Sequence, residues 1–475
     1  MTTGPDATAV AGLEALRAEL QLSAHSGTIE IRGQEPPGVH PFQLGTASAV
    51  AAGVEAAAVT DAWQRRCGRA QDVTIEVPRA LQILHQTAHT RQNGHLVGAA
   101  PKVGGDAVPD LYRTADDRWC CLVISHNTRR HQIERTLEVL GVGSRRLAAG
   151  AVAAWRAEDL EEAIIGNRAV AAAVRSPSEW ESHPQGSWLA GRPLIDVERV
   201  GDSDAEPLGP AGRPLHGVRV LEMTHIIAGP TIGRVLAEQG ADVLHVCPPG
   251  HADPTGLVIE LGVGKRSIFL DLDDPSDHRR LLDLMAGADM FVNSYRPGAL
   301  AARGLSTEEL VALRPGIIIV SVDCFGRKGG PWANRRGVDP IAQAVSGVAD
   351  GHLQQGICSL VRGGPLSDPL AGYLGAAGAV AALCRRSEVG GSYTVDVSLT
   401  RIAMWVIGFG TQEVTADDST RDNTYSAFAT PRLITMAGPF GQVNHLAPLA
   451  QFGETGAFWA RPAVPRGSSV GGWLS

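Results

Sequence analysis

Short apolar runs alternate with amphipathic segments of helical length through the second half of the chain. The runs predict strands at 217–223, 242–246, 264–272, 288–294 and 316–325. The segments between them predict helices at 228–241, 275–286 and 306–315, the last capped by Ser306 before Glu308 and Glu309. Strands and helices alternating at these lengths predict an α/β fold with a Rossmann-like parallel sheet. Ligands of such sheets bind outside the carboxyl ends of the strands.

The first half of the chain has a different pattern, which predicts a second, smaller α+β domain. An alanine-rich helix is expected at 43–66, followed by a strand at 72–77. Further on, the pattern predicts a strand at 118–125 and helices at 130–142 and 157–174. The segment 200–214, rich in Gly, Pro and acidic residues, reads as a linker.

One segment of the first half is repeated in the second half at a constant offset of 320 residues. Residues 64–77 lie over residues 384–397, and both follow an alanine-rich helix. Arg66 superposes on Arg386, and Glu76 superposes on Asp396. The chain therefore holds two helix–strand units of one kind, unless alanine-rich helices followed by arginines and a strand recur by chance.

Charge and cysteine content exclude several classes of protein. The net charge of −8 lacks the clustered cations that a nucleic-acid partner requires. Seven scattered cysteines indicate reduced thiols in a cytoplasm, because no metal-ligand spacing or disulfide framework is present. The sequence has no apolar stretch long enough for a membrane span, and its first residues do not resemble a leader peptide.

Three segments carry candidate chemistry, each with a structural alternative. Residues 224–230 form a turn of small residues before a helix, where a phosphate can bind or where the turn only packs. Tyr295 and Arg296 end a strand, where they can face adenine and phosphate or form a solvated turn. Asp368 opens an apolar helix, where it can attack a thioester carbonyl or act as an N-cap.

Residues 212–405 resemble the family III CoA-transferases. The resemblance rests on ordered blocks that include PLHGVRVLEMTHIIAGP, GKRSIFLDL, ADMFVNSYRPGALAARGL, RPGIIIVSVDCFGRKGGPW and RRGVDPIAQAVSG. It implies a transferase that moves CoA between an acyl-CoA and a free carboxylic acid, with CoA or acyl-CoA as substrate and no permanently bound cofactor. Asp368 falls on the catalytic aspartate of the family, which would form covalent acyl and CoA intermediates.

The resemblance also implies which residues contact the coenzyme, and it implies no metal site. The expected contacts are Ile227, Ala228, Leu270, Asp271, Ser294, Tyr295, Arg296, Arg303, Arg336, Gly337, Val338 and Asp339. Val338 and Asp339 are expected to line the approach to Asp368.

The blocks of the family occur in a rearranged order, because residues 40–200 resemble a later part of the family than residues 212–405 do. The expected organisation is a degenerate catalytic copy, a small domain, a linker, a Rossmann-like CoA-binding domain and a C-terminal return, at 1–84, 85–199, 200–214, 215–405 and 406–475. Asp368 corresponds to Ser48 in the first copy, so only one active acid is expected per chain. The family implies a homodimer, and the reduced thiols indicate a cytoplasmic location.

Two departures from the family pattern leave alternatives open. Val338 stands where racemase members carry a His, which disfavours a two-base proton shuttle at the alpha carbon. Pro248 stands where many members carry a phosphate-binding Arg, so the coenzyme is expected to bind more weakly or in a different orientation. An acyl-CoA racemase or lyase of the same fold, and a non-catalytic CoA-binding partner subunit, therefore remain as alternatives to the transferase.

Overall fold

The computed structural model describes residues 7–38, 40–97, 110–124, 130–250, 253–296, 298–351, 358–361, 364–413 and 425–474. The first part of the chain contains eight α-helices and seven short strands among these residues. They are α1 Ala7–Glu19, β1 Ile29–Arg32, α2 Leu44–Cys67, β2 Val73–Glu76, α3 Val77–Ala80, β3 Arg91–Gln92, β4 His95–Leu96, β5 Leu111–Arg113, β6 Trp119–Leu122, α4 Arg130–Leu140, α5 Ala148–Val152, α6 Ala157–Gly166, β7 Ala171–Ala173, α7 Pro177–Ser182 and α8 Pro184–Ala190.

The second part alternates strands and helices before it ends in short strands. Its elements are β8 Asp196–Gly201, β9 Arg219–Met223, α9 Ala228–Glu238, β10 Asp242–Cys247, α10 Thr255–Leu261, β11 Arg266–Phe269, α11 Pro275–Ala286, β12 Met290–Asn293, α12 Thr307–Leu313, β13 Ile318–Asp323, α13 Asp339–Ser346, α14 Ser367–Val389, β14 Ser392–Ser398, α15 Leu399–Ile407, β15 Leu433–Gly438, β16 Gly441–Leu446 and β17 Gln451–Phe452.

The predicted helix at 157–174 is wrong over its second half. The helix ends at Gly166, and Arg168 then adopts a left-handed conformation with φ of 60°. The alanine run 171–173 forms β7 and pairs with β6. Alanine favours helix, but the strand gains inter-strand hydrogen bonds and a fully buried position, so tertiary pairing overrides the local preference.

The predicted parallel sheet is confirmed. It has seven strands in the order β11-β10-β9-β12-β13-β14-β8. All neighbouring pairs are parallel except β14 and β8, which are antiparallel. The carboxyl ends of the parallel strands therefore lie along one edge, and α9 and α14, which cross back over the sheet, both begin at that edge.

A second sheet, β1-β2-β17, repeats the pairing at one end of the large sheet. At the offset of 320, Val73 of β2 corresponds to Tyr393 of β14. Val73 pairs with Ile29 in parallel, and Tyr393 pairs with Ile318 in parallel. The opposite neighbours, β17 and β8, are both antiparallel. The three strands β1, β2 and β17 thus occupy the same relative positions as β13, β14 and β8.

Helices α2 and α14, the two copies of the alanine-rich helix, pack in one apolar core. Small residues let neighbouring elements approach closely, as at Gly372, where a Cβ would lie 2.2 Å from the Thr231 side chain of α9. The expected linker is bound to this core, because the Arg66 guanidinium donates to the carbonyls of Gly209, Pro214 and His216 at 2.5–2.7 Å. Within the described ranges, no helix combines the length and apolarity that a bilayer crossing demands.

Candidate functional site

Asp368 lies at the start of α14, at the edge where the parallel strands end. The N-cap position belongs to Leu366, so Asp368 is the second residue of the helix and is half-buried. The N-cap role considered for Asp368 therefore does not match its position. A carboxylate in the first turn of a helix is stabilised by the partial positive charge of the helix N-terminus.

The side chain of Asp339 anchors the turn that carries Asp368. Its carboxylate accepts the backbone N–H groups of Leu366 at 3.2 Å, Ser367 at 2.5 Å and Asp368 at 2.9 Å. Pro369 has no N–H, so these bonds satisfy the donors that the beginning of α14 would otherwise leave unpaired. Asp339 caps α14 from the first turn of another helix, α13.

Asp339 is itself held in a buried environment, with 1% of its surface exposed. Burial raises the pKa of its carboxyl, and the donors on its oxygens act in the opposite direction. One of these donors is the Gln343 amide, whose oxygen accepts the N–H of Val361 at 2.7 Å. Asp339 was expected to line the approach to Asp368, and the structure places it as a support under that turn.

Cys324 and Gly337 pack close to this turn. The Cys324 thiol lies 3.8 Å from the carbonyl of Val338 and 3.7 Å from the hydroxyl of Thr400. A Cβ on Gly337 would lie 2.3 Å from the Cys324 sulfur, so only glycine fits there. Burial raises the pKa of the Cys324 thiol well above its usual value, and the nearby charge of Asp368 adds to this rise. Cys324 is therefore a neutral neighbour of Asp368, unsuited to act as a thiolate.

The turn between β9 and α9 brings Ile227 and Ala228 to the same edge. Ile226 has a φ of 68°, which is a strained conformation for a β-branched residue and costs about 1–3 kcal/mol. Its N–H donates to the Asp253 carboxylate at 3.2 Å, and the His225 N–H donates to the Ser294 hydroxyl at 3.4 Å. The strained turn is thus hydrogen-bonded both to Asp253, which precedes α10, and to Ser294, which follows β12.

The expected contacts after β12 lie beside this turn. The Tyr295 ring lies 5.8 Å from the His225 ring, measured between centroids, and Arg327 donates to the Tyr295 carbonyl at 3.0 Å. Burial raises the pKa of the Tyr295 phenol. Arg296 is exposed, and Arg303 forms an exposed ion pair with Asp273 at 2.7 Å.

Leu270 and Asp271 follow β11 at the same edge. The Leu270 side chain is buried in the apolar core, so a contact with the coenzyme would fall to its backbone. Asp271 is exposed, and its N–H donates to the Asp277 carboxylate at 2.9 Å. Arg336, with Gly337 and Val338, lies on the segment that leads into α13. The expected coenzyme contacts remain predictions, but the strand order brings most of them to one edge.

A cleft of about 420 Å³, including its open mouth, lies between the first turn of α9, α10 and the C-terminal residues. Glu222 is one of its lining residues, and its carboxylate pairs with Lys265 at 2.7 Å and accepts the Thr224 hydroxyl at 2.8 Å. Asp253 and Arg466 lie at its wall as a second ion pair. The sequence reasoning missed these groups, because their side chains meet only after β9, β11 and the C-terminal residues assemble.

A second charged cleft, of about 350 Å³, lies over β13, β14 and β8. Burial raises the pKa of the Asp323 and Asp396 carboxyls, while Arg327 and, for Asp396, Lys328 oppose that rise. Arg327 links this cleft to the Tyr295 carbonyl. Asp323 therefore belongs to a buried charge cluster.

At the offset of 320 residues, Ser48 of α2 corresponds to Asp368 of α14, but Ser48 is the fifth residue of its helix and Asp368 is the second. Its side chain is fully buried, and its hydroxyl donates to the Leu44 carbonyl at 2.8 Å. The start of α2 is held by Glu35, whose carboxylate accepts the N–H groups of Gly45 at 3.0 Å and Thr46 at 2.6 Å. The first copy thus keeps a carboxylate anchor at the helix start, with a serine at the position that corresponds to Asp368.

A family-wide sequence model described as CoA-transferase family III matches residues 215–432. The chain is 39% identical over 204 residues to the acetyl-coenzyme A transferase nodX of Hypoxylon pulicicidum, a match that covers 41% of this chain and 34% of that protein. It is 32% identical over 245 residues to the succinyl-CoA:glutarate CoA-transferase of Mus musculus, covering 48% of this chain and 52% of that protein.

Among solved structures, Rv3272 from M. tuberculosis aligns with a TM-score of 0.39 and 28% identity, over 42% of this chain and 58% of that one. The chain spans about a third to a half of the length of the curated relatives named above.

Proposed function

Through residues 215–432 the chain belongs to CoA-transferase family III, and on that premise we propose that it moves CoA between an acyl-CoA and a free carboxylic acid. The observation that carries the proposal is the position of Asp368. Its carboxylate lies in the first turn of α14, half-buried, above a carboxylate that already satisfies the helix donors. The Asp368 side chain is therefore not required to cap the helix, which supports a chemical role.

The proposed reaction begins with attack of the Asp368 carboxylate on the thioester carbonyl. A carbon–oxygen bond forms, the carbon–sulfur bond breaks, and CoA leaves as its thiolate. The thiolate then attacks the aspartyl carbonyl of the mixed anhydride, which releases the donor acid and leaves an aspartyl-CoA thioester. An acceptor carboxylate attacks the carbonyl of that thioester, which forms a second mixed anhydride and releases the CoA thiolate. The thiolate then attacks the acceptor carbonyl of this anhydride, which yields the new acyl-CoA and frees the Asp368 carboxylate.

Two features favour transfer over the racemase alternative and over a second reactive centre. Val338 is aliphatic, so the position that holds a second acid–base group in the racemase members offers none here. Ser48 is buried, with its hydroxyl bonded to its own helix, which supports one reactive acid per chain. The homodimer expected from the resemblance and the cytoplasmic location expected from the cysteine content remain part of this proposal.

Trapping the activated carboxyl with hydroxylamine tests the proposal directly. The protein is mixed with acetyl-CoA, succinyl-CoA or formyl-CoA and hydroxylamine, and the intact mass and peptide masses are measured. The expected product is a hydroxamate on Asp368, formed with at least one donor. The Asp368→Asn variant should form no hydroxamate and should transfer no CoA.

Ser48→Ala serves as the matched control at the corresponding position of α2, and it should be trapped as fast as the parent. Transfer by Asp368→Asn at the parent rate would refute the nucleophile. A hydroxamate on a different carboxylate would reassign it.

A further inference from the structure

The residues 461–474, called here the C-terminal segment, lie along the edge strand β11. The N–H of Ser469 donates to the Ser267 carbonyl at 2.8 Å, and the Ser267 N–H donates to the Ser469 hydroxyl at 3.0 Å. Further along, the Trp473 indole donates to the Leu284 carbonyl at 3.0 Å. The C-terminal segment is therefore bonded both to the edge strand β11 and to helix α11.

One side chain of the C-terminal segment reaches back to the turn before α9. The Arg466 guanidinium pairs with the Asp253 carboxylate, and the same oxygen, Oδ2, accepts the Ile226 N–H. The ion pair is well shielded, since the Arg466 side chain is 15% exposed and the Asp253 side chain is 3% exposed. The Arg466 guanidinium and the Ile226 N–H therefore share one acceptor oxygen.

The turn that Asp253 holds contains a strained backbone conformation within the expected coenzyme site. Ile226 is left-handed, and such a conformation persists in a β-branched residue only where surrounding contacts impose it. Ile227, the next residue, opens α9, and Tyr295 lies within electrostatic reach of both Asp253 and Arg466. A loss of the Arg466–Asp253 pair would therefore release a turn that borders two of the expected coenzyme contacts.

We propose that Arg466 is a positioning residue for the coenzyme, acting through Asp253 to hold the turn at Ile226. The C-terminal segment then forms part of the coenzyme site without touching the reacting carboxylate. This inference rests on the proposed function for its kinetic consequence. Its structural claim, that Arg466 orders the turn, stands apart from it.

Two measurements on the full chain test the proposal, beginning with hydrogen exchange in the absence of ligand. Arg466→Gln and Asp253→Ala should speed amide exchange in the peptide covering residues 224–230, because the Ile226 N–H loses its fixed acceptor. Arg466→Lys keeps the charge and should exchange close to the parent. Arg461→Gln is the matched control, because the described residues offer its side chain no hydrogen bond or ion pair.

The second measurement is the steady-state kinetics of CoA transfer by the same variants. Arg466→Gln and Asp253→Ala should raise KM for the acyl-CoA by about tenfold, equal to about 1.4 kcal/mol of binding, with kcat within about twofold of the parent. Arg466→Lys should restore KM, and Arg461→Gln should leave it unchanged. A merely structural role would lower the folded fraction without this division between KM and kcat.

The possible outcomes separate this inference from the proposed function. Unchanged exchange at 224–230 in Arg466→Gln would overturn the positioning role, whether or not the parent transfers CoA. Faster exchange with an unchanged KM would also overturn it, because the turn would then not serve the coenzyme. A parent that neither transfers CoA nor forms the Asp368 hydroxamate would refute the proposed function, while the exchange data would still decide whether Arg466 orders the turn.

Discussion

The Oδ2 atom of Asp339 accepts the backbone N–H of Asp368 at 2.9 Å, so a buried carboxylate lies directly beneath the proposed nucleophile. The two acids of the consecutive helices α13 and α14 therefore differ in role, because Asp339 supports the backbone and Asp368 is the proposed nucleophile. Asp339 is enclosed by backbone and amide donors, while Asp368 is half-buried at the sheet edge. The position of the Asp368 carboxylate therefore depends on Asp339, which holds the Asp368 backbone.

Asp339→Asn should reduce activity as well as stability. The substitution replaces one acceptor oxygen with an amide that cannot accept from the start of α14, so the Asp368 backbone shifts. We expect a loss of about 1–3 kcal/mol in unfolding free energy, and a fall of up to about 100-fold in kcat/KM. Urea unfolding and CoA-transfer assays measure the two effects.

Glu35→Gln is the control for that experiment, because Glu35 anchors α2, which has no reactive acid. It should destabilise the chain to a similar degree and leave kcat/KM of the folded protein unchanged. Equal losses of activity in both variants would show that the effect of Asp339 is general unfolding.

Placing an acid in the first copy should not create a second reactive centre. Ser48→Asp would bury a carboxylate at a position with no exposed surface, which costs more than about 2 kcal/mol unless the group is protonated. We expect a lower unfolding midpoint and no hydroxamate at position 48. Ser48→Ala, which loses only one local hydrogen bond, should unfold close to the parent. A trapped hydroxamate at position 48 would contradict the assignment of α2 as inert.

Stability should fall as the pH rises through the range in which Glu238 ionises. Burial raises the pKa of the Glu238 carboxyl to about 7, and burial raises the pKa of the neighbouring Glu55 carboxyl as well. Between the unfolded pKa of about 4.5 and the folded value, only the unfolded chain ionises, so unfolding becomes easier. The loss from Glu238 reaches up to about 3 kcal/mol near pH 7 and is constant above it.

Glu238→Gln removes this contribution and provides the comparison. The variant should match or fall below the parent at pH 5 and exceed it at pH 8, as measured by thermal unfolding at matched ionic strength. A parent whose stability relative to Glu238→Gln does not change between these pH values would show that Glu238 ionises normally.

Replacing only one partner of the Lys265–Glu222 ion pair should strongly lower the unfolding free energy. Both side chains are nearly fully buried, and the Lys265 ammonium also donates to the Pro230 carbonyl at 2.6 Å. Lys265→Met leaves a buried carboxylate without its cation, so we expect a loss of about 3–5 kcal/mol in unfolding free energy. The double variant Lys265→Met, Glu222→Leu should recover much of that loss. A double variant less stable than Lys265→Met would contradict this account, and denaturant unfolding measures each case.

The large sheet could be predicted from the sequence because its strands are local apolar runs. Each expected strand between 217 and 325 is present, and Ser306 forms the expected capping box with Glu309. The helix predicted at 157–174 failed because the alanine run at 171–173 gains a partner in β6, which is distant in sequence. Local preference cannot foresee such pairing.

The candidate site divides in the same way. The prediction of Asp368 as the nucleophile rests on the family resemblance, because its context of glycines before an apolar helix also suits an N-cap. The anchoring role of Asp339 depends on the approach of α13 to the start of α14, and no local pattern records it. The pair of Asp253 and Arg466 joins residues 213 positions apart, so the sequence alone gave no reason to connect them.

The carboxylate of Glu35 allows the side chains of α2 to change during evolution while the start of the helix keeps its hydrogen bonds. Glu35 supports the first turn of α2 from outside the helix, and Ser48 lies in the following turn, so a change of side chain at Ser48 leaves that support in place. Support and reactivity are thus encoded by separate residues. Under the proposed function, α2 has no reactive acid at Ser48 and still stabilises α14, because the two helices share one apolar core.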